Sequence, residues 1–300
     1  MRFAFRTLAV AVLLCGTAYA AVQAPAAGSI NAWTPELEAG SMKYKAFRSA
    51  AIQSDCAYLL YLPPDYAANP VRRYPVVYWL HGLGGNAAAA RPVVERLDAA
   101  IRAGKAPAMI IVSCNDPTGR SMWCDTTDGR WPVETVIVRD LIPHIDATYR
   151  AIAQREGRGL EGFSMGGLGS VRLGFKYPET FGTISVLATA MPTAEMLRDS
   201  FKPIYDQVFA GNFEACRAEM PWALAPRHAA AVRGRTRIRI HAGANDPLRA
   251  GCEKFHALLD ELQIEHEFGR IPDAGHNLQE MLDHFPTDFF AFYREAFRPL

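Results

Sequence analysis

The 300-residue chain has almost no excess charge: 32 Lys+Arg stand against 31 Asp+Glu, a formal net charge of +1. That balance excludes the strongly basic face with which proteins grip nucleic acid or an anionic membrane surface. Metal signatures are missing too. No Cys-x-x-Cys pair occurs and no histidine pair has metal-ligand spacing, so neither a structural zinc site nor any other metal or cofactor is expected. Internal repeats, heptads and low-complexity tracts are absent. Beyond the N-terminus no apolar run is long enough to span a bilayer.

The one notable apolar run lies in "MRFAFRTLAVAVLLCGTAYA". Arg2 and Arg6 precede Leu8 to Leu14, and Ala18-Tyr19-Ala20 supplies small residues in a cleavage pattern. Residues 1–20 are expected to be a secretory signal and the protein to be exported, periplasmic or extracellular. Cleavage would remove Arg2 and Arg6, leaving 30 Lys+Arg against 31 Asp+Glu. Five cysteines would remain: Cys56, Cys114, Cys124, Cys216 and Cys252. In an exported protein that odd count suggests up to two disulfides and one buried thiol. Cys114 and Cys124 flank one loop and are a candidate pair, although Cys56 could reach either of them.

Half of the residues are apolar, enough for a substantial core, and one domain is the default for this length. Residues 21–44 read as a loosely held lead-in and residues 45–300 as the domain. Within it, short β-type runs at 56–63, 75–81, 107–114, 159–164, 183–190, 237–243 and 265–271 alternate with helical patterns at 87–103, 133–151, 165–176, 250–262 and 278–296. This alternation means an α/β fold, a mostly parallel central sheet with helices on both faces. The stretch 191–236, with four prolines and only fragments of helical pattern, reads as an insertion over the active-site edge of the sheet.

The stretch "EGFSMGG" places Ser164 between Gly162 and Gly166, after a β run and before a helical one. A Gly-x-Ser-x-Gly match arises by chance in roughly one chain in ten of this length, so its context matters. A nucleophile elbow requires this strand-turn-helix setting, because a strained turn presses its neighbours together and only glycine leaves room. A serine needs a base to take its proton and an acid to orient that base. Downstream, "RIRIHAGANDP" runs from a strand into Asp246, and "DAGHNLQEM" places His276 just before a helix. Serine, acid and histidine follow in the chain order of that architecture. Asp273, three residues before His276, is the rival acid, but it reads more naturally as an Asx turn.

Negative charge developing on an ester carbonyl needs preorganised N–H donors. The N–H of Met165, next to the nucleophile, is one candidate, and the loop "HGLGG" offers that of Leu83. A phosphate loop is the rival reading of the glycines at 82–85, but no Gly-Lys-Ser/Thr follows them. His81 precedes the serine and is read as structural, and the remaining histidines as ordinary helix, strand or surface residues. Trp123 and Trp131 bracket a loop at the expected pocket edge, where they could stack on an aromatic acid or a sugar ring; the alternative is that they are core.

With these residues in view, the chain resembles the esterase branch of the α/β hydrolases, which includes esterase D-type S-formylglutathione hydrolases, feruloyl and other carbohydrate esterases, siderophore esterases and mycolyltransferases. The resemblance covers most of residues 45–297. It rests on "YLPPDY" at 61–66, "YPVVYWLHGLGG" at 74–85, "WPVETVIVRDLIPHIDATYR" at 131–150, "EGFSMGGLGS" at 161–170 and "AGHN" at 274–277. It implies an α/β-hydrolase fold, Ser164, Asp246 and His276 as triad, and Leu83 and Met165 as oxyanion donors. The expected activity is that of a serine carboxylesterase acting without cofactor on a small-molecule or carbohydrate ester. An acyltransferase on the same triad and a binding protein on a hydrolase scaffold are the alternatives.

Overall fold

The computed structural model describes residues 30–298, so the expected signal at 1–20 lies outside the described residues. Eight strands form one sheet: β1 Lys43–Ser49, β2 Ser54–Tyr61, β3 Val76–Leu80, β4 Ile110–Ser113, β5 Arg158–Phe163, β6 Thr183–Leu187, β7 Arg237–Gly243 and β8 Glu267–Ile271. Their order is β1-β2-β4-β3-β5-β6-β7-β8. The β1–β2 and β2–β4 pairs are antiparallel and all others parallel.

A parallel strand covered on both faces has no polar side, and β3 (VVYWL) is buried at every position. Successive side chains still alternate between two cores. Val76, Tyr78 and Leu80 join the core on one face, with helices α5 Met165–Lys176 and α10 Arg249–Glu261. Val77 and Trp79 join the other, under α2 Arg91–Arg102, α11 Leu278–Asp283 and α12 Ala291–Ala296. This is an α/β-hydrolase arrangement, with a mostly parallel sheet between two helical layers.

Departures from the sequence reading have local causes. Strand β1 (KYKAFRS) carries no apolar pattern because it is an edge strand, exposed except at Phe47 and Ser49, and its lysines discourage pairing with another sheet. The lead-in is packed from its first described turns. After α1 Ile30–Trp33, the buried Trp33 ring lies 6.0 Å from that of Trp131, and the Ala32 carbonyl accepts from Asn115 Nδ2 at 3.2 Å. The helical pattern at 133–151 divides into α3 Val133–Thr135, a π-helical stretch Val136–Leu141 and α4 Ile142–Thr148. Pro143 has no N–H and its ring crowds the preceding turn, which the wider π turn accommodates.

The insertion is more regular than fragments. It holds α6 Ala194–Ser200, α7 Lys202–Phe209, α8 Phe213–Glu219 and α9 Pro221–Val232. Pro203 and Pro221 stand in the first turns of their helices, where a missing N–H costs nothing, and Thr193 and Asn212 cap α6 and α8. Leu197, Val208, Phe209, Cys216 and Leu224 bury into the same core as α5. Among the described residues no helix is long and apolar enough to cross a membrane.

Candidate active site

Ser164 joins β5 to α5 with φ 58° and ψ −119°, a backbone conformation that L residues avoid. The flanking glycines make the turn possible. A Cβ on Gly166 would lie 1.8 Å from the Leu80 carbonyl oxygen, and one on Gly162 would lie 2.2 Å from the Gly166 carbonyl group. The strand, the turn and the first turn of α5 therefore stack with no space for a side chain.

His276 Nε2 lies 2.9 Å from Ser164 Oγ, and its Nδ1 lies 2.9 Å from Asp246 Oδ2. The carboxylate can only accept, so the ring proton sits on Nδ1 and Nε2 is left to accept from the serine hydroxyl. The Asp246 side chain is fully buried, and its Oδ1 accepts from the Leu248 N–H at 2.7 Å. Backbone contact holds the acid and histidine loops together. The Asn245 N–H donates to the Ala274 carbonyl at 2.9 Å, and a Cβ on Gly243 would sit 2.3 Å from that same oxygen. Beyond the histidine, Asn277 caps α11, and the Glu280 carboxylate accepts from the Gly275 N–H at 3.0 Å. The Phe163 ring packs 4.9 Å from the His276 ring. The rival acid, Asp273, is exposed, with φ +54°.

The N–H groups of Leu83 and Met165 make no hydrogen bond among the described residues. Met165 is the first residue of α5, where N–H groups lack helical partners and the helix dipole is positive. Leu83 is held by a brace that the sequence did not disclose. Buried His81 donates from Nδ1 to the Gly82 carbonyl at 2.9 Å and accepts at Nε2 from the Asp116 N–H at 3.1 Å. Both ring nitrogens are thus occupied, and burial pushes the His81 pKa down, so the ring stays neutral. The Asp116 carboxylate accepts from the N–H groups of Thr118 and Ser121 at 2.9 and 2.8 Å, folding the next loop, and the Gly119 carbonyl accepts from the Gly84 N–H at 2.7 Å. The Asp-x-Thr spacing of an Asx turn was the available signal for Asp116.

The tryptophans of this region lie in the core, the second of the two readings open to them, and the candidate disulfide between Cys114 and Cys124 is not formed. Trp123 is fully buried. Its Nε1 donates to the His81 carbonyl at 3.2 Å, and the ring lies against α5, where a Cβ on Gly169 would meet it at 2.4 Å. Trp131 is buried against Trp33. Both are supports beneath the site, with no face open for a ligand. All five described cysteines are free, buried thiols. Cys114 Sγ points to the Val112 carbonyl and Cys124 Sγ to the Met122 carbonyl, and the loop between them is closed by the Asp116 carboxylate instead.

Two buried arginines fix the elbow from below. Arg172 on α5 has no exposed surface. It reaches the Trp123 carbonyl at 2.8 Å, Glu134 of α3 at 3.1 Å, and the Glu219 carboxylate of α8, so the insertion is anchored to the helix that follows Ser164. On the sheet, Glu161, Ser185 and Arg239 are register neighbours on β5, β6 and β7. Glu161 accepts from Arg239 Nη2 and Ser185 Oγ, each at 3.0 Å, and from the Tyr293 hydroxyl, while Phe289 lies 4.0 Å from the guanidinium. Nearby His241 is buried on β7 with Nδ1 unpartnered; burial, then the Arg239 charge, lowers its pKa to about 3.

A concavity of about 460 Å³ is found at the amino ends of β6–β8, bordered by Arg155, Arg235 and Arg237. It lies at the end of the sheet opposite Ser164. Two of its arginines are already engaged, Arg155 with the carbonyls of Pro178 and Arg235, and Arg235 with Glu179. Ligands of open α/β sheets bind at the other end, beyond the strands' carboxyl ends, where the serine stands.

Comparison with known proteins agrees with this fold. The Esterase family model, described as "Putative esterase", matches residues 49–269. Esterase Rv1288 of Mycobacterium tuberculosis is 33% identical over 143 residues, covering 47% of this chain and 31% of the relative. An endo-1,4-beta-xylanase/feruloyl esterase of Xylanibacter ruminicola is 28% identical over 194 residues, covering 61% of this chain and 26% of the relative. The chain thus spans about a third or less of these curated relatives. A solved ferulic acid esterase has the same fold, with a TM-score of 0.71 at 22% identity over 85% of this chain and 98% of that one. With a family match over most of its length and the fold to go with it, the chain belongs to the esterase family of α/β hydrolases.

Proposed function

We propose that the protein is an exported serine carboxylesterase that cleaves esters through an acyl-enzyme on Ser164, His276 and Asp246. The observation that carries the reading is the unbroken chain of two 2.9 Å contacts from Ser164 Oγ through the imidazole to Asp246. His276 takes the serine proton as Oγ attacks the ester carbonyl, and the N–H groups of Leu83 and Met165 hold the oxyanion. The imidazolium returns that proton to the departing alcohol. Water, deprotonated by the same nitrogen, then releases the acid. Asp246 keeps the ring in the accepting tautomer and stabilises its cationic form.

We infer substrates of the feruloyl, acetyl-carbohydrate or siderophore ester class; the feruloyl class is supported by a curated relative whose name includes that activity. Export rests on residues 1–20 of the sequence. A panel of p-nitrophenyl esters of increasing acyl length, with methyl ferulate and acetylated sugars beside it, tests the reading. Wild-type protein is expected to turn over at least one, and Ser164→Ala to lose about 10⁴- to 10⁶-fold in kcat while still folding. Activity above a tenth of wild type in that variant refutes the assignment.

A further inference from the structure

Two histidines and an aspartate with no part in ester cleavage meet beside α10. His256 and Asp260 stand one turn apart on that helix, and His266 reaches them from the segment before β8. One ligand atom from each lies within 4.8 Å of the others. His256 Nδ1 is 2.6 Å from His266 Nε2, and His256 Nε2 is 3.5 Å from Asp260 Oδ2. The ten-residue separation of the histidines hid this meeting from any spacing rule.

Both rings are held in place. His266 donates from Nδ1 to the Ile264 carbonyl at 2.8 Å, so its Nε2 lone pair faces His256. A partner on the far ring nitrogen is how ligating histidines are oriented. His256 stacks on Phe268 with centroids 4.3 Å apart and planes 2° from parallel. Counting protons shows what is missing. Neutral His256 carries one ring proton but faces two acceptors. With the proton on Nδ1, the Nε2 lone pair meets a carboxylate; with it on Nε2, two nitrogen lone pairs meet at 2.6 Å. A metal ion between His256 Nδ1 and His266 Nε2 takes up both facing lone pairs and leaves the ring proton on Nε2, the side of Asp260.

We propose that His256, His266 and Asp260 form a divalent transition-metal site that takes zinc. Two imidazoles and one carboxylate suit zinc, whereas calcium and magnesium prefer oxygen donors. Tetrahedral bonds of about 2.0 Å hold two nitrogens about 3.3 Å apart, so the rings need separate only slightly. The Asp260 side chain is 62% exposed, so rotating it from His256 Nε2 onto the ion meets no packing, and the fourth position is left to water. The ion would join α10, which starts three residues after Asp246, to the entry of β8, whose exit leads to His276. Its role is to clamp these two elements, not to activate water for the ester.

The test is zinc titration of metal-stripped full-length protein, followed by thermal unfolding, with cobalt absorption as a second readout. Zinc is expected to raise Tm saturably in wild type, with a midpoint weakened at least about tenfold in Asp260→Asn and more in His266→Ala. Cobalt is expected to give a d–d spectrum free of thiolate charge-transfer bands. No rise in wild type, an unchanged midpoint in either variant, or a thiolate band pointing to the buried cysteines overturns the proposal. Asp260 lies on the surface, so its variant decides the matter even if His266→Ala fails to fold.

Discussion

Asp246 Oδ2 stands 2.9 Å from His276 Nδ1 across 30 residues of chain, whereas Asp273, only three residues from that histidine, turns its backbone carbonyl to His284 at 3.1 Å. Proximity in sequence is a poor guide to which carboxylate orients the ring. Asp246→Asn is expected to keep the fold and favour the wrong tautomer, lowering kcat by about 10⁴-fold if the trypsin precedent transfers. Asp273→Asn is expected to cost less than about tenfold, because its carboxylate is exposed and away from the imidazole. Steady-state kinetics at neutral pH on the two folded variants check the ranking, and the opposite order refutes it.

Gly166→Ala would place a methyl group 1.8 Å from the Leu80 carbonyl oxygen, which is backbone and has no rotamer to yield. The elbow must move away from β3. The expected outcome is a loss of about 3 kcal/mol in urea unfolding and about 100-fold in kcat, since a shift of about 1 Å at a nucleophile is enough for that.

Glu161 and Arg239 are each 1% exposed, so removing one partner strands the other. Arg239→Met is expected to destabilise by about 3–5 kcal/mol. Adding Glu161→Gln should restore part of that loss, because the amide tolerates burial without a cation. Denaturant unfolding of both single variants and the double variant closes the cycle; a double variant less stable than Arg239→Met contradicts this account.

His241 gives a stability change with a definite sign. Its folded pKa of about 3 lies below the ordinary histidine value of about 6.5, so acid protonates the unfolded chain first. The stabilisation is complete above pH 6.5 and falls away as pH drops towards 3. Between pH 7.5 and pH 5 this one residue should cost about 2 kcal/mol. His241→Leu, which also removes an unpartnered buried nitrogen, should flatten that part of the profile when urea midpoints are compared at the two pH values.

Strands β3, β4 and β6 were legible because full burial leaves a continuous apolar run. Edge strand β1 was not, since exposure everywhere but at Phe47 and Ser49 erases its pattern. In the site, Ser164, Asp246 and His276 could be selected from turn chemistry and chain order, and the structure brings them within hydrogen-bonding reach of one another. Asp116, Arg172 and the Glu161–Arg239 pair escaped notice. A buried charge resembles a surface one until its partner, here up to 78 residues away, is known. Trp123 and Trp131 were ambiguous for a related reason: an aromatic ring has the same identity in a pocket wall as in the core beneath it.

The left-handed backbone at Ser164 also sets a limit on how durable this protein can become. Glycine would adopt that conformation without strain, which at a non-glycine position amounts to about 1–3 kcal/mol. Selection for persistence alone would therefore favour glycine at 164, and only selection for the proposed turnover retains a hydroxyl there. A descendant that had lost its chemistry and kept only its shape would be free to drift to glycine at 164. Consensus-style stabilisation of this chain must pass over that position.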